Sequence, residues 1–204
     1  MHEEEKYTYE SEWIKHLESE EHWRSYWHQQ KLMESLVKPG ENILEIGIGS
    51  GFTADYLKSK NINVKTIDID KEKGPDIVAN IVEYEFSDKY DHVLAFEVFE
   101  HIPYDDFEHV LQKLYNCTNQ CLFLSIPINE KTWIFNELYL HVLGNIRFGI
   151  TTRRNKLTTN NHFWEVRYKK FSKKRVEETF RKYNFIIKKK FRFRTQLFYC
   201  LERK

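Results

Sequence analysis

The chain has 204 residues, 41% of them hydrophobic, and its 32 Lys and Arg against 31 Asp and Glu leave a formal net charge of +1. That length supports one substantial core, which argues for a single domain with one active site, and the near-zero charge excludes a strongly polyanionic or polycationic protein. The average conceals a gradient: Glu3, Glu4, Glu5, Glu10 and Glu12 open the sequence, whereas Lys169, Lys170, Lys173, Lys174, Arg175, Arg181, Lys182, Lys188, Lys189, Lys190, Arg192 and Arg194 crowd its end. Three cysteines, Cys117, Cys121 and Cys200, supply neither a disulfide framework nor a four-ligand zinc set, so no metal site is expected and a reducing cytoplasm fits best. Glutamates where a secretory signal would be basic, and apolar runs too short to span a bilayer, predict a soluble protein with no membrane span.

From Tyr7 to about Val37, Trp13, Leu17, Trp23, Trp27 and Leu32 recur among polar neighbours at helical spacing, which predicts one or two amphipathic helices. Pro39-Gly40 ends that segment. Asn42 to Ile46 reads as a buried strand that runs into Gly47, Gly49 and Gly51, followed by a helix from Phe52 to Lys60. Further strands are expected at Asn63–Ile67, ending at Asp68, at Ile77–Ala79, ending at Asn80, and at His92–Phe96. A helix over Tyr104–Tyr115 and a strand over Cys121–Ile126 come next. This alternation predicts a Rossmann-like, doubly wound α/β fold with a mostly parallel seven-stranded sheet. Near the end, a helix over Lys173–Tyr183 precedes strands at Phe185–Ile187 and Gln196–Tyr199 with no helix between them, which predicts an antiparallel hairpin. The expected divisions are a helical extension (1–38), a ligand-binding core (39–127), an insertion (128–165) and a C-terminal helix with its hairpin (166–204). Within the insertion, a helical half from Trp133 to Leu143 and a polar half from Thr151 to Asn161 are expected to form a lid.

In an open parallel sheet, ligands bind beyond the carboxyl ends of the strands, so residues that follow successive strands should converge on one cleft. Gly47-Ile48-Gly49-Ser50-Gly51 lets a ligand approach the backbone, Asp68 offers a carboxylate to ribose hydroxyls, Asn80 and Ile81 offer an amide and an apolar face to adenine, and Glu97 closes the cleft. A nicotinamide dinucleotide is disfavoured. Its loop follows GxGxxG, whereas here the third glycine comes one place early, and Glu45 beside the loop suits a sulfonium and an ammonium better than a pyrophosphate.

These residues resemble known motifs. Ile43-Leu44-Glu45-Ile46-Gly47-Ile48-Gly49-Ser50-Gly51, Thr66-Ile67-Asp68-Ile69-Asp70 and Tyr90 to Ile102, with its Glu97-Val98-Phe99-Glu100-His101 run, are similar in order and spacing to three motifs of class I S-adenosylmethionine-dependent methyltransferases, particularly the ubiquinone-biosynthesis-like group called type 11. The resemblance covers roughly Pro39 to Pro127. It implies that Glu45 and the three glycines hold the methionine end of S-adenosylmethionine, Asp68 its ribose, and Asn80 with Ile81 its adenine, and that S-adenosylhomocysteine is the product. Asn80 departs from the Asp common there, and an amide still accepts from the adenine amino group. Glu100 and His101 are candidate catalytic residues, His101 as proton acceptor, although the pair also suits packing or capping of the next helix. His162, Trp164 and Glu165 are candidate acceptor-binding residues. Trp23, Tyr26 and Trp27 could cover the cofactor from the N-terminal helix, but their spacing equally suits a helix packed on the sheet, which is the preferred reading.

A small-molecule acceptor is favoured. Ala95-Phe96-Glu97 lacks the Asn-Pro-Pro-Tyr type of amino-methylating enzymes, and Ile126-Pro127-Ile128 lacks the cysteine of cytosine C5 chemistry. The alternatives are a nucleic-acid methyltransferase whose basic end neutralises phosphates, and a non-catalytic cofactor-binding module that holds a protein partner.

Overall fold

The computed structural model describes residues 19–142 and 144–204. The acidic start and the first part of the expected N-terminal helix, with Trp13 and Leu17, lie outside the described residues. Helix α1 spans Glu20–Met33, β1 Asn42–Ile46, α2 Phe52–Lys58, β2 Asn63–Asp68, β3 Ile77–Val78 and β4 Tyr90–Phe96; α3 follows over Tyr104–Cys117 and β5 over Thr118–Pro127. The chain then forms β6, Glu130–Leu140, and β7, Gly144–Arg153, before α4, Lys173–Lys182, and the closing strands β8, Phe185–Phe193, and β9, Gln196–Arg203.

Seven strands make one sheet in the order β3-β2-β1-β4-β5-β9-β8. The first five are mutually parallel, and β9 runs antiparallel between β5 and β8. Two apolar layers flank the sheet. Leu44 and Ile46 of β1 pack with Phe107, Val110 and Leu114 of α3 and Val176 and Phe180 of α4, while Ile43 packs on the other face with Leu32 and Met33 of α1 and Leu57 of α2. The period-two alternation of a strand sends neighbouring β1 residues to opposite layers, and that parity later decides where Glu45 points. Helix α4 starts where expected because Ser172 caps it, its Oγ accepting the Arg175 N–H at 3.1 Å.

The expected helix from Trp133 to Leu143 is not formed. Those residues, as far as Leu140, belong to β6, which pairs antiparallel with β7 as a separate two-stranded hairpin. Residues directly opposite one another share a face, and the register puts Ile134 beside Ile150 and Leu138 beside Ile146, with Phe148 between them. The segment is rich in β-branched and aromatic side chains, which favour a pleated strand over the helix that its leucines suggested. That apolar face is exposed. On the other face, Phe135 packs against Phe193 of β8, anchoring the hairpin to the molecule. Of the polar half of the expected lid, residues 151–153 end β7 and the remainder, to Asn161, is an irregular loop beside the carboxyl ends of the parallel strands. No helix among the described residues is long and apolar enough to cross a membrane.

Candidate active site

The sheet order reverses direction between β1 and β4, and a cavity of about 520 Å³ opens there. This is within the usual size of small-ligand sites, roughly 300–1,000 Å³. Its floor is Gly47 and Gly49 after β1, Asp68 and Ile69 at the end of β2, Asn80 and Ile81 after β3, and Glu97 and Val98 after β4. Residues of α1 and the loop Thr159–His162 form its walls.

The loop needs its glycines because the chain turns through the left-handed region at Gly47, Gly49 and Gly51, with φ of 75°, 56° and 80°. At Gly47 a Cβ would also stand 2.7 Å from Val98 Cγ2. Gly51 caps α2 and does not line the cavity. Ser50 is held by the Tyr26 hydroxyl at 2.9 Å, which ties the loop to α1.

Asp68 is buried, and its carboxylate braces the loop by accepting the Ile48 N–H at 3.0 Å and the Asp70 N–H at 2.9 Å. Lys73 lies across both carboxylate oxygens at 3.1 and 3.3 Å. A ribose reaching Asp68 therefore meets a carboxylate that is already ion-paired, and Lys73 must yield or share it. The Asn80 Oδ1 accepts the Val82 N–H at 3.0 Å, which fixes the side chain at the cavity edge with an oxygen lone pair still to offer. Ile81 gives an apolar surface beside it.

Glu45 does not line the cavity, contrary to the sequence expectation. It shares the face of Ile43, under α2, whereas Ile46 and Gly47 face the ligand side. Burial pushes its carboxyl up to about 8, against opposing contributions from the Lys58 charge and the Ala54 N–H. Its place is behind the loop, at the first turn of α2.

The far wall is unusually rich in ionisable groups. Glu97 sits at φ 53° and accepts the Ser125 hydroxyl at 2.7 Å; burial raises its pKa. Glu100 and His101 form a 3₁₀ turn, Phe99–His101. The Glu100 side chain is 0% exposed, and neither of its oxygens has a hydrogen-bond partner. Burial, then the neighbouring Glu97 carboxylate, drives its pKa well above the ordinary carboxylate value. His101 is pushed down to about 4, first by burial and then by His162, and its Nδ1 lies 3.2 Å from the Asn161 carbonyl. The two imidazoles meet edge to face with centroids 4.8 Å apart.

Of the three expected acceptor residues, only His162 lines the cavity. Trp164 is fully buried among Tyr104, Phe107 and Phe171, its indole N–H donating to the Ile102 carbonyl, so it is core. Glu165 is also buried, behind His162, where it accepts from His162 Nδ1 and Asn129 Nδ2, both at 2.6 Å, and from the Thr158 N–H and hydroxyl. Burial opposes its ionisation, yet those donors outweigh it and hold its pKa below the ordinary value.

Several lining residues were not anticipated. His22, Ser25, Tyr26 and Gln29 face the cavity from α1, while Trp23 and Trp27 are largely exposed. The signal was present as a polar stripe at i, i+3, i+4 and i+7, easily overlooked beside the tryptophans. Lys73 and Gln196 also line the cavity and had no local sequence signature.

The model of a methyltransferase domain family matches residues 20–189. The chain belongs to that methyltransferase family. No curated protein sequence matches it. Among solved structures, it resembles the magnesium protoporphyrin IX methyltransferase of Synechocystis with bound S-adenosylmethionine, at 13% identity and a TM-score of 0.62 over 97% of this chain and 86% of that one. It also resembles the Burkholderia thailandensis 1,6-didemethyltoxoflavin N1-methyltransferase with S-adenosylhomocysteine, at 13% identity and 0.58 over 93% and 86%. The Bradyrhizobium japonicum N-methyltransferase NodS, with S-adenosylhomocysteine, matches at 9% identity and 0.60 over 92% and 90%. At such identities this methyltransferase shares their fold.

Proposed function

We propose that this methyltransferase transfers the methyl group of S-adenosylmethionine to a small-molecule acceptor. The observation that carries the reading is the convergence of Gly47, Gly49, Asp68, Asn80, Ile81 and Glu97 on one cavity at the reversal of the sheet. Its methyl donor is S-adenosylmethionine, which supplies an electrophilic methyl carbon on a sulfonium for direct displacement by an acceptor nucleophile. Gly47 and Gly49 expose backbone to the methionine end, Asp68 accepts from the ribose hydroxyls once Lys73 yields, and Asn80 with Ile81 takes the adenine. The wall contributed by α1 and the loop Thr159–His162 encloses the reacting ends, so the protein contributes position and exclusion of water rather than a covalent intermediate. The neighbour with bound 1,6-didemethyltoxoflavin, and the neighbour named for magnesium protoporphyrin IX, support a small organic acceptor. So does the size of the cavity. The Glu97-Val98-Phe99-Glu100-His101 run supports a kinship with the type 11-like group, and three buried free cysteines suit the cytoplasm.

The test is calorimetric titration with S-adenosylmethionine and S-adenosylhomocysteine, on the wild type and on Asp68→Ala. Both ligands should bind the wild type, and the variant should bind each at least about tenfold more weakly, a loss of roughly 1.4 kcal/mol. A wild type that binds neither overturns the reading.

A further inference from the structure

We propose that Glu100, His101 and His162 form a binding site for a divalent transition-metal ion in the wall of the cavity. Their ligating atoms, one carboxylate oxygen and two imidazole nitrogens, lie within 4.8 Å of one another. All three residues line the cavity, so a bound ion would keep positions open towards it. An open site of that kind is the arrangement of reactive metal centres rather than of closed structural ones.

Three observations favour a cation over mere packing. The Glu100 carboxylate is buried, faces the cavity, and has no hydrogen-bond partner on either oxygen. Buried polar groups are almost always satisfied, and an orphaned carboxyl is costly unless something outside the protein completes it. Both imidazoles also hold the tautomer that metal ligands hold. A carbonyl and a carboxylate can only accept, so His101 donates Nδ1–H to the Asn161 carbonyl and His162 donates Nδ1–H to Glu165. Each ring is thereby fixed in the tautomer that carries its lone pair on Nε2. An outer carboxylate or carbonyl behind a histidine is the usual device for setting ligand tautomer and basicity. Glu165 is itself held by Asn129 and Thr158, so the orientation of His162 is set by a buried network. Finally, the backbone links the two ligand-bearing segments, because the Phe163 N–H donates to the Glu100 carbonyl at 2.8 Å. Small side-chain rotations would bring the three atoms to the distances of about 2.0–2.2 Å that nitrogen and oxygen ligands adopt around such ions.

Two imidazoles and one carboxylate select manganese, iron, cobalt, nickel or zinc over magnesium or calcium, which favour all-oxygen sets. The cysteines of the sequence give no sign of this site, because its ligands are a carboxylate and imidazoles from two segments far apart in the chain. The site also gives Glu100 and His101 a role other than the proton acceptor expected from sequence. It stands independently of the acceptor.

The full chain is titrated with Mn²⁺, Co²⁺ and Zn²⁺ separately by calorimetry, and the manganese complex is read by pulsed electron paramagnetic resonance for nitrogen coupling. One ion per chain should bind, with imidazole coupling. His162→Ala and Glu100→Gln should each bind at least about tenfold more weakly, while their far-ultraviolet circular dichroism is kept. No uptake by the wild type at millimolar metal, uptake without nitrogen coupling, or unchanged affinity in both folded variants overturns the site. If the variants do not fold, the nitrogen coupling in the wild type decides. Metal uptake by a chain that ignores S-adenosylmethionine would sink the proposed function and leave the site standing; the reverse result would sink the site alone.

Discussion

At the scale of single residues, Glu45 shows how burial and position separate a side chain from the role its motif implies. Burial pushes its carboxyl up to about 8 in the fold, from an ordinary value of 4.5. Between those values the folded chain keeps a proton that the unfolded chain has released. Stability conferred by this residue therefore falls as pH rises through that window and levels off above it. Glu45→Gln removes the dependence, so urea denaturation should show the variant gaining on the wild type from about pH 5 to about pH 8.5. An equal difference at both pH values would contradict this account. Asp68, Asn80 and Glu97 were legible in the sequence because each follows a strand, and strand ends converge whatever the rest of the chain does. Lys73 and the partners of Glu165 were not, because their contacts depend on turns and loops whose course no local pattern fixes.

At the scale of elements, the glycine loop is the most constrained piece of the site. Gly47→Ala adds a Cβ at a positive φ and drives it into Val98, itself part of the cavity lining. The expected outcome is loss of S-adenosylmethionine affinity by at least about tenfold with a folded sheet, since overpacking of this kind typically costs about 1–3 kcal/mol. Calorimetry beside circular dichroism checks it, and full affinity in the variant would show that the loop tolerates the displacement. The parallel strands, α3 and α4 were readable because long apolar runs and amphipathic stripes report burial directly. The β6–β7 hairpin was misread because its apolar residues face outwards, so neither burial nor a clean alternation marked it as a strand. On α1 the opposite occurred: the tryptophans drew attention to one face while the ligand side is polar.

At the scale of the whole molecule, the basic C-terminal third looks different in three dimensions. Lys182 pairs with Glu108, Lys188 with Glu202, Lys190 with Glu177, Arg192 with Glu130 and Arg194 with Glu21, while Lys169, Lys170 and Arg175 lie over aromatic rings. The charges paired with carboxylates offer little field to a polyphosphate backbone. Fluorescence anisotropy with a labelled RNA should therefore show no binding at about 150 mM salt, and tight binding with a steep salt dependence would restore the nucleic-acid reading.

The sheet order carries one more consequence. Strand β9 is the final strand in the sequence, yet it lies inside the sheet, pairing Cys121 with Glu202 on one side and Phe185 with Arg203 on the other. Its arrival is an act of closure across most of the second half of the chain, and the entropy of that closure must be met before the contacts that reward it exist. During synthesis the open edge of β5 waits, unpaired, until β9 has left the ribosome, which leaves this edge exposed to pairing with a neighbour instead of with its own chain.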